Sequence, residues 1–113
     1  MNLDIEINNY LLSLKIMPTL KGYKYLRDSI KLIVTENLIF SKFKYDVYPR
    51  IARRYGTNIA AVERNISNAI DSAFLTAEID VINSEFGNTV RAEKGKPTCR
   101  EFILLAADKL KRR

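Results

Sequence analysis

Glu63, Arg64 and Asn68 are residues whose types and spacing carry chemistry, and what they offer is directional hydrogen bonding rather than the making of bonds. An arginine can donate two parallel hydrogen bonds to guanine O6 and N7, an asparagine can pair bidentately with adenine, and a carboxylate can accept from cytosine N4. Ser67 on the same surface suits a phosphate oxygen. Upstream, Arg50, Arg53 and Arg54 suit phosphates too, as do Lys94 and Lys96 in a downstream basic loop. Each has a plainer use: Glu63 as an internal ion-pair partner that orients Arg64, and the arginines as solubilising surface charge.

The sequence has no histidine, which removes the commonest general base and the commonest metal ligand. Its one cysteine, Cys99, excludes an internal disulfide and agrees with a reducing compartment. Cys99 falls in the first turn of the last helix, where the dipole lowers a thiol pKa, but without a histidine or a second cysteine it reads as an inert small residue. Glu78, Asp80 and Glu85 match no calcium loop and read as a solvated acidic face or a protein-docking surface. No catalytic residue, metal ligand or cofactor is expected, and the chain is not expected to be an enzyme.

The element that must present the base-reading residues lies within residues 48 to 74. Ala52 is followed four residues on by Gly56 and ten on by Val62. A small residue at the helix crossing, a residue able to take positive φ in the turn and an apolar anchor are the requirements of a helix-turn-helix. From Val62 the apolar residues continue as Ile66, Ala69, Ile70, Ala73 and Phe74, the stripe of an amphipathic helix. Its free face carries Ala60, Ala61, Glu63, Arg64, Ser67, Asn68 and Asp71, short enough side chains for the backbone to approach a major groove. Thr57 or Asn58 is the expected cap, and the helix should end near Thr76.

The remaining elements read as helices. Residues 4 to 16 carry Ile7, Tyr10, Leu11 and Leu14 at helical spacing, with Asn2 or Asp4 as cap. A link containing Pro18 and Gly22 leads to a second stripe of Leu26, Ile30, Ile33 and Val34, ending about Asn37, with Lys24, Arg27 and Lys31 on a solvated outer side. A third helix spans about residue 42 or 43 to 55, and Pro49 requires either a start near Tyr48 or a short preceding turn that meets the helix at an angle. A short fifth helix over 79 to 86 stops at Gly87, and Thr98 with Glu101 forms a capping box for the last helix. The expected fold is all-α, a compact bundle of about six helices with helices three and four as the helix-turn-helix.

A chain of 113 residues with 47% hydrophobic content suits one domain, and no apolar run approaches the ~20 residues that cross a bilayer. With no secretory signal pattern either, a cytoplasmic location beside the nucleoid is expected. The net charge of +6 is segregated. Residues 42 to 64 hold six bases against two acids and residues 91 to 113 eight against three, whereas residues 65 to 90 hold four acids and no base. A polyanion would be drawn to one side of the molecule.

In its segments, taken in order, KGYKYLRDSI, the YP-x-IA-x-x-Y run at Tyr48 to Tyr55, VERNISNAI, the ID…FG…TV run from Ile79 to Val90, KGKPT and EFILLAADKL, the sequence resembles the C-terminal DNA-binding effector domain of the response regulator that initiates sporulation in endospore-forming Firmicutes. The likeness runs from about Ile5 to Lys111. It implies a six-helix transcription factor that binds boxes of the TGTCGAA kind as a tandem homodimer and touches the RNA polymerase sigma subunit. Glu63 and Arg64 match the family's base-reading pair. Where the family usually has further basic residues or a histidine on the reading face, this chain has Ala61, Ser67 and Asn68. Residues 1–113 are expected to form a single effector domain, with the family's receiver domain absent from this chain. The alternative is a protein-interaction module or antagonist of such a regulator, using the acidic 71 to 85 surface and binding little DNA.

Overall fold

The computed structural model describes residues 2–38, 41–76 and 97–111, and every regular element among them is a helix. The helix expected over 79 to 86, its acids, the basic loop with Lys94 and Lys96, and the terminal arginines lie outside the described residues. In chain order the elements are α1 Leu3–Ser13, α2 Lys21–Glu36, α3 Phe43–Asp46, α4 Tyr48–Arg54, α5 Ile59–Thr76 and α6 Cys99–Lys111.

Local chemistry explains most of the boundaries. Asn2 caps α1, its Oδ1 accepting from the Asp4 amide at 2.8 Å. The helix ends before the expected Ile16 because Lys15 turns left-handed at φ 68°. The Lys15 and Ile16 amides then donate back to Leu12 O and Leu11 O, and the reversed chain tucks Ile16 into the core beside Leu11. Asn37, at φ 54°, ends α2 in the same left-handed region, and its Oδ1 accepts from Lys111 Nζ at 2.6 Å, tying the end of α2 to the end of α6.

The expected third helix is two pieces. α3 meets α4 at Val47, which places Pro49 in the first turn of α4, where no earlier carbonyl needs its missing N–H. Thr98 and Glu101 form the capping box of α6, with the Thr98 amide donating to Glu101 Oε1 at 2.8 Å and the Glu101 amide to Thr98 Oγ1 at 3.1 Å.

The second helix is the hub. It packs against α1, α4, α5 and α6, so it is buried on more than one stripe: Leu26, Ile30 and Ile33 are inaccessible, and Tyr23, Tyr25, Asp28 and Ser29 are buried as well. Gly22, read from the sequence as part of a link, lies inside this helix at its crossing with α5. A Cβ there would stand 2.0 Å from the Asn65 carbonyl oxygen and 2.9 Å from Ala69 Cβ. Only glycine lets the two backbones approach this closely.

Candidate nucleic-acid interface

The turn between α4 and α5 is short because it is hydrogen-bonded across itself. Tyr55 N donates to Ile51 O, Thr57 N donates to Ala52 O at 2.9 Å, and Gly56 sits at φ 62° between them. Asn58 starts the next helix: its Oδ1 accepts from the Ala61 amide at 2.8 Å. Val62, Ile66, Ala69, Ile70 and Ala73 then face the core, which fixes the rotation of α5 about its axis. The pattern fits a helix-turn-helix built from α4 and α5.

That rotation leaves Ala60, Arg64 and Asn68 exposed in one row along the outer side of α5. Glu63, Ser67 and Asp71 are half-buried on one flank of the row. Ala61, expected on the free face, is instead buried at 9% exposure. Asn65 and Ala69, four and eight residues on along the same helix, meet Gly22 of α2. None of the ion pairs among the described residues involves Arg64 or Glu63, so Glu63 is not the orienting partner of Arg64. Arg64 lies in the row and Glu63 on its flank.

The three arginines of α4 separate. Arg53 is exposed and borders a shallow recess formed by Pro49, Thr57, Asn58 and Ala60, directly beside the start of α5. Arg50 and Arg54 run along α2. Arg50 Nη1 donates to both oxygens of Glu36, at 2.6 and 2.7 Å, and this contact raises its pKa further. Arg54 Nη1 lies 3.4 Å from Asp28 Oδ2.

Asp28 gathers more than Arg54. It accepts from Arg27 Nε at 3.0 Å and from the Tyr55 hydroxyl, while Arg27 Nη2 donates to that hydroxyl at 3.1 Å. Burial opposes the Arg27 charge, but Asp28 and Tyr55 outweigh it and hold its pKa above the ordinary value. Lys24 Nζ lies 4.7 Å from the Tyr55 ring centre, and Lys31 pairs with Asp4 at 2.9 Å. The outer side of α2, expected to be merely solvated, thus holds the end of α4 through Lys24 and Arg27 and holds α1 through Lys31. The sequence reading missed Asp28. A signal was present, since Tyr25, Asp28 and Ser29 stand at i, i+3 and i+4 and mark a second buried face.

On the other flank, Glu63 and Ser67 line a groove of about 760 Å³ between α3, α5 and the start of α6. Its floor includes Phe43, Tyr48 and Pro97, all buried, and Cys99 Sγ reaches the Glu63 carbonyl at 3.8 Å. Burial raises the Tyr48 pKa, with smaller contributions from Cys99 and Glu63, so its hydroxyl stays protonated. Lys42, Lys44, Tyr45 and Arg100 stand on the rim, none of them singled out from the sequence.

The arrangement can place one guanidinium, without an ion-pair partner among the described residues, and one amide against base edges, with a cation beside the helix start. The family described as sporulation initiation factor Spo0A C terminal matches residues 7–110, nearly the whole chain. The chain therefore belongs to the Spo0A C-terminal family, the DNA-binding, transcription-regulating domain of a sporulation initiation factor.

Proposed function

We propose that the chain is a sequence-specific effector domain that lays α5 in the major groove, with Arg64 donating to guanine, Asn68 pairing with adenine and Glu63 accepting from cytosine. Arg53 and Ser67 hold phosphates that fix the register, joined by Lys94 and Lys96. Arg50 and Arg54 join them only by exchanging a carboxylate for a phosphate. The observation that carries the reading is the exposed row of Ala60, Arg64 and Asn68, in which the arginine has no ion-pair partner among the described residues and its row-mates are too small to block it. Tandem dimers on DNA, a contact with the sigma subunit and a cytoplasmic location complete the reading and rest on the family alone. None of the described helices is long and apolar enough to cross a membrane.

Selection from a random duplex pool tests the proposal. Enrichment of one short box, lost in the Arg64→Ala variant, is the expected result. Absence of enrichment, together with capture of an intact regulator or a sigma subunit, would replace it with the protein-interaction alternative.

A further inference from the structure

We propose that Lys42, Lys44 and Arg100 form a second phosphate-binding site along the flank of α5, distinct from the one at Arg53. This rests on the reading of α5 as the DNA-reading helix. Two of the cations expected to hold phosphates, Arg50 and Arg54, are already engaged by Glu36 and Asp28 on α2. Lys42 and Lys44 are exposed and make no ion pair with a described residue. Arg100 is held in place without being neutralised, since its Nη1 donates to the Ser41 carbonyl at 3.0 Å and its guanidinium lies 4.9 Å from the Phe43 ring centre. Tyr45, next to Lys44 in α3, is 76% exposed, its hydroxyl able to donate to a phosphate oxygen.

Position makes this rim part of the DNA-facing surface. Lys42, Lys44 and Arg100 border the same groove as Glu63 and Ser67, which belong to the reading helix itself. A helix is about 10–12 Å across with its side chains, and the major groove is about 12 Å wide, so a strand backbone lies against each flank of an inserted helix. Arg53 borders Asn58 and Ala60, whereas the new rim borders Glu63, Ser67 and Asp71, about one to three helical turns beyond Ala60. The two cation sites therefore meet different phosphates. Acids stand nearby: Glu63 and Asp71 lie on the α5 wall of the groove, and Asp46 on α3 accepts from the Lys42 backbone amide.

The test compares the wild type with Lys42→Ala/Lys44→Ala and with Arg100→Gln on random duplex and on the selected box, at several salt concentrations. The double variant is expected to lower the slope of log K against log salt by about two, and Arg100→Gln by about one, with equal weakening on both duplexes. Single methylphosphonate substitutions should locate the contact: the double variant loses sensitivity at positions different from those lost in Arg53→Ala. An unchanged slope in a wild type that binds duplex overturns this site and leaves the function standing. Loss confined to the selected box also overturns it. Tighter binding of the wild type to polyglutamate than to random duplex would make the rim a protein-docking surface, and a wild type that binds no duplex at low salt overturns both proposals.

Discussion

Tyr55, the last residue before the turn glycine, donates its hydroxyl hydrogen bond to the carboxylate of Asp28 in the middle of α2, which is 5% exposed. Because Arg27 and Arg54 share that carboxylate, the end of α4 is fastened to the hub helix by a charged cluster rather than by apolar contact alone. The orientation of the turn, and through it the start of α5, depends on this cluster.

Asp28→Ala should therefore destabilise the fold by ~1–3 kcal/mol, less than the full cost of breaking a buried pair because Arg27 and Arg54 keep access to water. Tyr55→Phe should cost ~1 kcal/mol. Urea midpoints measure both, and a double variant falling short of the summed losses would show that the two residues act through one network.

Alkaline pH should weaken the same region. Burial, and then the bond to Asp28, raises the Tyr55 pKa above its ordinary 10.0, and burial raises that of Tyr48. Above pH 10 the unfolded chain gives up these protons while the folded chain keeps them, so the unfolded state binds fewer protons and stability falls as pH rises. The contribution is complete below pH 10 and is lost as pH climbs through the folded-state values. Melting temperatures followed upward from neutral pH should drop more shallowly in Tyr48→Phe/Tyr55→Phe than in the wild type.

Two glycines should respond to alanine for opposite reasons. Gly22→Ala places a methyl against the Asn65 backbone, and an overpacking cost of ~1–3 kcal/mol outweighs the ~1 kcal/mol that alanine gains in a helix. Gly56→Ala meets no atom within 4 Å, so only its φ of 62° counts, at about 1–2 kcal/mol. Gly56→Asn should recover much of that loss and Gly22→Asn none of it, as thermal melts would show.

Arg64→Ala should cost ~1–3 kcal/mol on the selected box and little on random duplex, relaxing preference at one guanine. Arg53→Ala should weaken both duplexes alike and reduce the salt slope by about one. Arg50→Ala should change the slope less than Arg53→Ala, since Glu36 already holds that guanidinium. Equal slopes for the two variants would mean that Glu36 releases Arg50 on binding.

Residues that cover one another within a few turns of chain were legible in the sequence: the stripe from Val62 to Ala73, a cap at Thr57 or Asn58 that proves to be Asn58, the Thr98–Glu101 box and the positive φ at Gly56. Periodicity and capping are local, so the all-α fold and the outward row of Arg64 and Asn68 followed from them, and the ordered segments pointed to the family. Tertiary structure alone decided which cations remain available. Arg50 and Arg54 meet Glu36 and Asp28 from 14 and 26 residues away, while Lys42, Lys44 and Arg100 come together on one rim across two separate helices. It also decided that Ala61 is buried and that Gly22 is a contact point, the latter because it depends on how close α2 comes to α5. Neither helix states that distance in its own sequence, since it is set by side chains from both.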